Sequence, residues 1–134
     1  MIKQIIAVLQ QLIPLMQQLF KRKQNEEMVR RICRQEQGLT EAETMDILGT
    51  IAAESSFDDK AIGRNTNGSV DYGIIQANSY WYIEKMKLLT KDEALNDPEK
   101  CVRVMIKRMR EGFLKDWYGY RSKAYYAYLK KGSL

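Results

Sequence analysis

Glu54–Tyr82 reads ESSFDDKAIGRNTNGSVDYGIIQANSYWY, and the rest of the chain is organised around it. The stretch opens with a carboxylate that continues the helical row Ile47–Ile51. It passes through a Gly- and Asn-rich turn to a second carboxylate, Asp71, and ends in Gln76, Asn78, Trp81 and Tyr82. Two acids in different surroundings, followed by amide and aromatic side chains, suit a site that cleaves a sugar chain. One acid keeps its proton against apolar groups while the other stays charged among donors, and rings and amides hold the sugars. Taken alone, Glu54 reads as an exposed acid near a helix end paired with a lysine, and Asp71 as an exposed acid on the polar face of a hairpin. Their joint setting raises both to candidates.

The 134 residues suffice for one domain with a real core, and 45% hydrophobic with 29% charged residues is the balance of a globular protein. The absence of histidine and the presence of only Cys33 and Cys101 argue against a zinc site and against Ser-His or Cys-His nucleophiles, so neither metal nor cofactor is expected. The two cysteines read as buried thiols, with a Cys33–Cys101 bridge left open. Charge is uneven within the net +5. Residues 1–24 carry four bases and no acid, residues 25–99 eight bases against fifteen acids, and residues 100–134 ten bases against two acids. The basic last third reads as a solvated helix face or as an attraction to a polyanion such as cell wall or phospholipid. No nucleic-acid motif is present, and nucleic acid is not an expected partner.

Residues 2–22 hold a threefold repeat, IKQIIAV, LQQLIPL, MQQLFKR, which predicts an amphipathic helix whose apolar face is wider than a two-stranded coiled-coil seam. Lys3 and the spaced glutamines interrupt a membrane span, and no continuous apolar run leads to a small-residue cleavage site. Pro14, on the polar side, is expected to kink the helix. Three partners fit: the chain's own domain, copies of itself, or a membrane interface. The lack of any acid before Glu26 favours an anionic membrane. The expected division is an N-terminal helix, 1–24, and a catalytic domain, 25–134.

Asn25 is expected to cap a helix running to about Glu36, with Met28, Ile32 and Cys33 inward and Gly38 as its stop. Thr40 and Glu43 form a capping-box pattern that starts the next helix at Glu41. Asn67-Gly68 marks a tight turn, with strands near Ile62–Thr66 and Ser69–Ile75. Trp81 to Leu89 reads as helix or loop. Asp97-Pro98 starts a helix with Cys101, Val104, Met105 and Met109 as its stripe and Gly112 as its stop. Tyrosines 125, 126 and 128 read as packing.

The segment Glu54–Tyr82 resembles the active-site segment of c-type lysozymes in ES-F, the RNT-GS turn, DYGI-Q and NS-W, with weaker likeness in LLTKDEALNDPEKC (Leu88–Cys101) and DWYGYR (Asp116–Arg121). The resemblance implies an α+β lysozyme-like fold, mostly helical, with a small hairpin sheet walling the cleft. It implies that Glu54 is the general acid and Asp71 the nucleophile or charge stabiliser of a peptidoglycan muramidase, an endolysin-like glycoside hydrolase. Asn65, Gln76 and Asn78 would orient the acid or bond sugar, Trp81 would stack on sugar, and Trp117 would shield the acid from water. Most of the family's disulfide cysteines are missing, Tyr82 stands where a second tryptophan is expected, and no signal peptide is recognised. These departures point to a bacteriophage or bacterial protein, made in the bacterial cytoplasm and acting at the periplasm or wall, or carried in a phage particle. Lytic transglycosylases share the ES and G--Q signatures and are the competing resemblance. A wall-binding protein on the same fold is the non-enzymatic alternative.

Overall fold

The structure, a computed structural model, describes residues 1–134. Helix α1 runs without a break from Ile2 to Gln35, so the expected helix start at Asn25 is corrected. Nothing between Phe20 and Glu26 breaks a helix, and Lys, Arg and Gln propagate one well. Asn25 is instead a buried tertiary clamp inside the helix. Its amide donates to the Phe57 carbonyl at 2.9 Å and to Asp59 Oδ1 at 3.0 Å, tying α1 to the loop that follows the next helix. Every residue from Met1 to Lys21 is exposed, whereas Val29, Ile32 and Cys33 are buried. One helix thus has a free first half, with Pro14 inside it, and an anchored second half.

Helix α2 (Glu41–Ser55) begins at the expected capping box: Thr40 Oγ1 accepts from the Glu43 amide and Glu43 Oε1 from the Thr40 amide, both at 3.0 Å. Its Ile47, Leu48 and Ile51 are fully buried and carry the centre of the core. A short sheet follows, of β1 (Ile62–Arg64), β2 (Val70–Tyr72) and β3 (Ala77–Asn78), antiparallel in the order β1-β2-β3. Asp71 pairs with Gly63 on one side and Asn78 on the other. The strands are shorter than the turn signal suggested, and β3 is additional. Gly73 follows β2 at φ +79°, and only glycine fits there because a side chain would meet the Ala94 carbonyl. Gln76, at φ +53°, then turns the chain back into β3.

A π-helical turn spans Ser79–Lys85, within the stretch read as helix or loop. Helix α3 (Lys91–Asn96) starts at a second capping box, Thr90 with Glu93, that the sequence reading did not use. Helix α4 (Pro98–Arg110) has the expected Asp97 cap, whose carboxylate accepts from the Lys100 amide at 3.1 Å, and Gly112 lies just past its end at φ +91°. A 3-10 turn (Leu114–Asp116) leads to two short helices, α5 (Tyr118–Arg121) and α6 (Tyr126–Lys131), both packed on α2. Tyr125 and Tyr128 are buried and Tyr126 is exposed.

The core gathers Val29, Ile32 and Cys33 of α1, Ile47, Leu48 and Ile51 of α2, and Cys101, Val102, Met105 and Ile106 of α4 around Phe57, Ile74, Ile75 and Trp117. Each such side chain, fully buried, contributes roughly 1.5–3 kcal/mol. Both cysteines are free and buried, and burial pushes the thiols up, to about 11 for Cys33 and about 12 for Cys101. No disulfide holds this fold together. A polar clasp closes the far side. Glu26, buried under Tyr128, accepts from its hydroxyl at 2.7 Å and from the Leu134 amide at 2.6 Å, while Arg30 donates to the same hydroxyl and to the Gly132 carbonyl.

Candidate active site

Helix α2 delivers Glu54 to a cleft of about 1,010 Å³ whose opposite wall is the sheet. The row Ile47–Ile51 is wholly buried, and Glu54, the next residue in it, is only half-buried. Its carboxyl is therefore partly out of water. That burial raises its pKa above the ordinary 4.5. The Gly119 amide opposes the rise by donating to Oε1 at 2.7 Å, Asp71 adds to it through its charge, and Arg121 lowers it. Gly119 has to be small for this bond to form, since a Cβ there would lie 2.8 Å from the Ala53 Cβ and 3.2 Å from Glu54 Oε1.

Asp71 sits at the middle of β2, where both of its oxygens are engaged. Asn65 Nδ2 donates to Oδ2 at 3.1 Å and Asn78 Nδ2 to Oδ1 at 2.9 Å. An ionised carboxylate is acceptor-only, and two amide donors aimed at its two oxygens match that requirement. Ser69 Oγ accepts from the same two amides at 3.1 Å, and donates to Asn67 Oδ1 at 2.7 Å, which locks the Asn65–Ser69 turn against the acid. The Asn78 side chain also works backwards along the chain. Its Oδ1 accepts from the Tyr80 and Trp81 amides, both at 3.1 Å, and so caps the π-helical turn that carries Trp81.

Trp81 is 58% exposed, with its ring edge-on to Tyr80 at 4.8 Å, a free flat surface at the cleft. Trp117 is buried. Its indole N–H donates to the Ile75 carbonyl at 2.6 Å, and its ring meets Tyr82 in a T-shaped contact at 5.2 Å. Gln76 donates to the Ala61 and Gly73 carbonyls at 3.1 and 3.0 Å, so its amide nitrogen holds the turn between β2 and β3. Glu54, Asn65, Asp71, Gln76, Asn78, Trp81 and Trp117 all line the one cleft.

Sequence reasoning did not single out Gly119, Tyr82 as a polar anchor, or the arginines. Tyr82 is buried, and its hydroxyl donates to Asp116 at 3.1 Å and accepts from Arg108 Nε at 3.3 Å, while Arg108 also pairs with Asp116 at 2.9 Å and lies over the Phe113 ring. Where a tryptophan was expected, the phenol gives the wall a hydrogen bond to this ion pair. Arg64, Lys115 and Arg121 add positive charge to the cleft lining. None of these contacts has a local signature in the sequence, because each joins residues brought together only by the fold.

The family model of the transglycosylase SLT domain matches residues 31–130. The chain belongs to this family. The SLT match begins within α1 and takes in every residue of the cleft. Among curated relatives, lysozyme c-1 of Anopheles gambiae is 32% identical over 95 residues, covering 63% of this chain and 65% of that protein. Lysozyme C-1 of Anas platyrhynchos is 44% identical over 45 residues, 34% of this chain and 31% of that one. The chain thus spans less than two thirds of the length of these relatives. A crystal structure of a lysozyme from Litopenaeus vannamei superposes with a TM-score of 0.57 at 25% identity, covering 74% of this chain and 84% of the other. The SLT domain described here therefore has a lysozyme-like α+β fold, mostly helical with one small antiparallel sheet, as the sequence led us to expect.

Proposed function

We propose that this chain cleaves the β-1,4 bond between N-acetylmuramic acid and N-acetylglucosamine in peptidoglycan, with Glu54 as general acid and Asp71 as nucleophile or charge stabiliser. One observation carries the reading. A half-buried acid that burial favours keeping protonated shares a cleft with a carboxylate held open by two amides. Glu54 gives its proton to the glycosidic oxygen as the bond breaks. Asp71 meets the positive charge developing at C1, by bonding to it or by facing it, and Glu54 then draws the proton from the incoming water. Trp81 offers a face for a sugar ring, and Asn65, Gln76 and Asn78 supply the amides at the floor of the cleft. A cleft of about 1,010 Å³ lies at the upper end of the roughly 300–1,000 Å³ common for ligand sites, in keeping with a polymeric substrate.

The family match supports a second reading, a lytic transglycosylase. There Glu54 performs both proton transfers, and the muramic 6-hydroxyl attacks C1 in place of water. The paired amides on Asp71 favour the hydrolase, because an acid that took no part would need no such cradle. Mass spectrometry of digested peptidoglycan separates the two. Reducing muramic ends, together with loss of activity in Asp71→Asn, are expected. Predominantly 1,6-anhydro-muramic ends, or an unaffected Asp71→Asn, would replace the hydrolase with the transglycosylase. The place of action is then the bacterial wall, reached from the cytoplasm or from a phage particle.

A further inference from the structure

We propose that residues 2–20 of α1 pack against the same segment in other copies of this chain, in a helical bundle of three or more strands. The segment has no cover of its own. Ile5 is 53% exposed, Leu12 45% and Leu19 59%, and every residue before Arg22 is exposed. With about 150–200 Å² on a large apolar side chain, half exposure of ten of them leaves roughly 750–1,000 Å² per chain, against about 800 Å² per partner in a stable interface.

What identifies the occupant is the strictness of the repeat. Ile2, Leu9 and Met16 recur every seven residues, as do Ile5, Leu12 and Leu19, and as do Gln4, Gln11 and Gln18 on the other side. An ideal helix drifts about 20° per heptad, so a seven-residue pattern keeps one seam in place only where helices supercoil around each other. A lipid surface needs an apolar side and imposes no such register. Ile6, Ile13 and Phe20 flank the seam on one side and Val8 and Leu15 on the other, so a single neighbour covers too little. Pro14 shares its heptad position with Ala7 and Lys21, which puts its ring and missing N–H on the outside.

Charge points the same way. An interfacial membrane helix carries lysine and arginine along its polar face. Here that face is glutamine, and Lys3 is the sole charged side chain between Ile2 and Phe20. In the basic group that follows, Arg22 and Lys23 already face Asp58 at 3.9 Å and Glu26 at 3.5 Å. No residue of the segment lines the cleft, so the bundle leaves it open. Several catalytic domains on one stalk would bind a polymeric wall with an avidity no single domain has.

The test is the mass of the full chain in lipid-free buffer, by sedimentation equilibrium at about 10–100 μM, and it involves no substrate. The expected result is a whole-number multiple, threefold or more, of 15.7 kDa. The double variant Ile5→Glu/Leu12→Glu should fall to the single-chain mass with unchanged near-UV dichroism, because neither side chain belongs to the core. Gln11→Glu, on the opposite face, should keep the assembled mass. A wild-type monomer across this range overturns the proposal, as does a seam variant that stays assembled. A monomer that sediments with phosphatidylglycerol vesicles would assign the face to lipid instead.

Discussion

Replacing Gly119 by alanine tests the fit between α5 and the acid on α2. A Cβ at this position would stand 2.8 Å from the Ala53 Cβ, 3.2 Å from Glu54 Oε1 and 3.4 Å from the Thr50 carbonyl. Carbon atoms prefer about 3.5–4.0 Å, so α5 has to withdraw by the better part of an ångström. Forcing one extra methyl into such a contact costs about 1–3 kcal/mol. Alanine gives part of that back, because at a helical residue it is better than glycine by roughly 0.5–1 kcal/mol. The balance is a loss of about 0.5–2 kcal/mol, or roughly 2–8 °C in Tm at this size. The same withdrawal stretches the 2.7 Å bond from the Gly119 amide to Glu54. Burial, the main cause of the raised pKa, is then less opposed, and the pKa of Glu54 moves further up. Turbidity clearing of cell walls followed against pH, with thermal melts alongside, reads both effects. The expected outcome is a lower Tm, a lower plateau and an alkaline limb displaced to higher pH. A variant with the wild-type Tm and an unmoved alkaline limb would refute the account of how Gly119 holds Glu54.

Glu54→Gln should lower wall clearing by about 10²–10⁴ while making the protein more stable above neutral pH. The folded pKa lies above the unfolded one, so ionisation weakens the fold. The weakening is absent below the ordinary 4.5, grows as pH rises through the raised value, and is constant beyond it. Melts of the two proteins should therefore coincide in acid and separate at pH 8, and a glutamine variant less stable than wild type at pH 8 would count against this. Gly73→Ala places a Cβ 1.8 Å from the Ala94 carbonyl at a backbone φ of +79°, and should cost more than about 3 kcal/mol, read as a collapse of the urea midpoint. Asn25→Ala strips the Phe57 carbonyl and Asp59 of a buried donor and should cost about 1–3 kcal/mol in the same assay, with the slope of the transition unchanged.

The parts legible in the sequence are those whose cause is local. Thr40 with Glu43 and Asp97 with Pro98 each fix a helix start within four residues, and both stand where the pattern put them. The Glu54–Tyr82 stretch was readable for the same reason, since Asn65, Asp71 and Asn78 meet through one turn and one strand pairing. Thr90 with Glu93 carries the same signal as Thr40 with Glu43 and could have been found by it. Asn25 misled because asparagine is a good cap in general, and only the distant Phe57 and Asp59 give it other work. The third strand depends on the left-handed turn at Gln76, a conformation that no rule of composition assigns to glutamine.

Gly119 lies 65 positions after the acid it steadies, and the buried ring of Trp117 comes from the same late stretch of chain. A ribosome making this protein therefore releases both carboxylates long before it releases the glycine whose amide holds one of them. Until Gly119 has emerged, Glu54 lacks the backbone donor that fixes its carboxyl in the cleft. Fragments left by early termination or by proteolysis ahead of Trp117 inherit the same defect. The cleft, whose lining runs from Glu54 to Arg121, is thus complete only once that late stretch has folded onto α2.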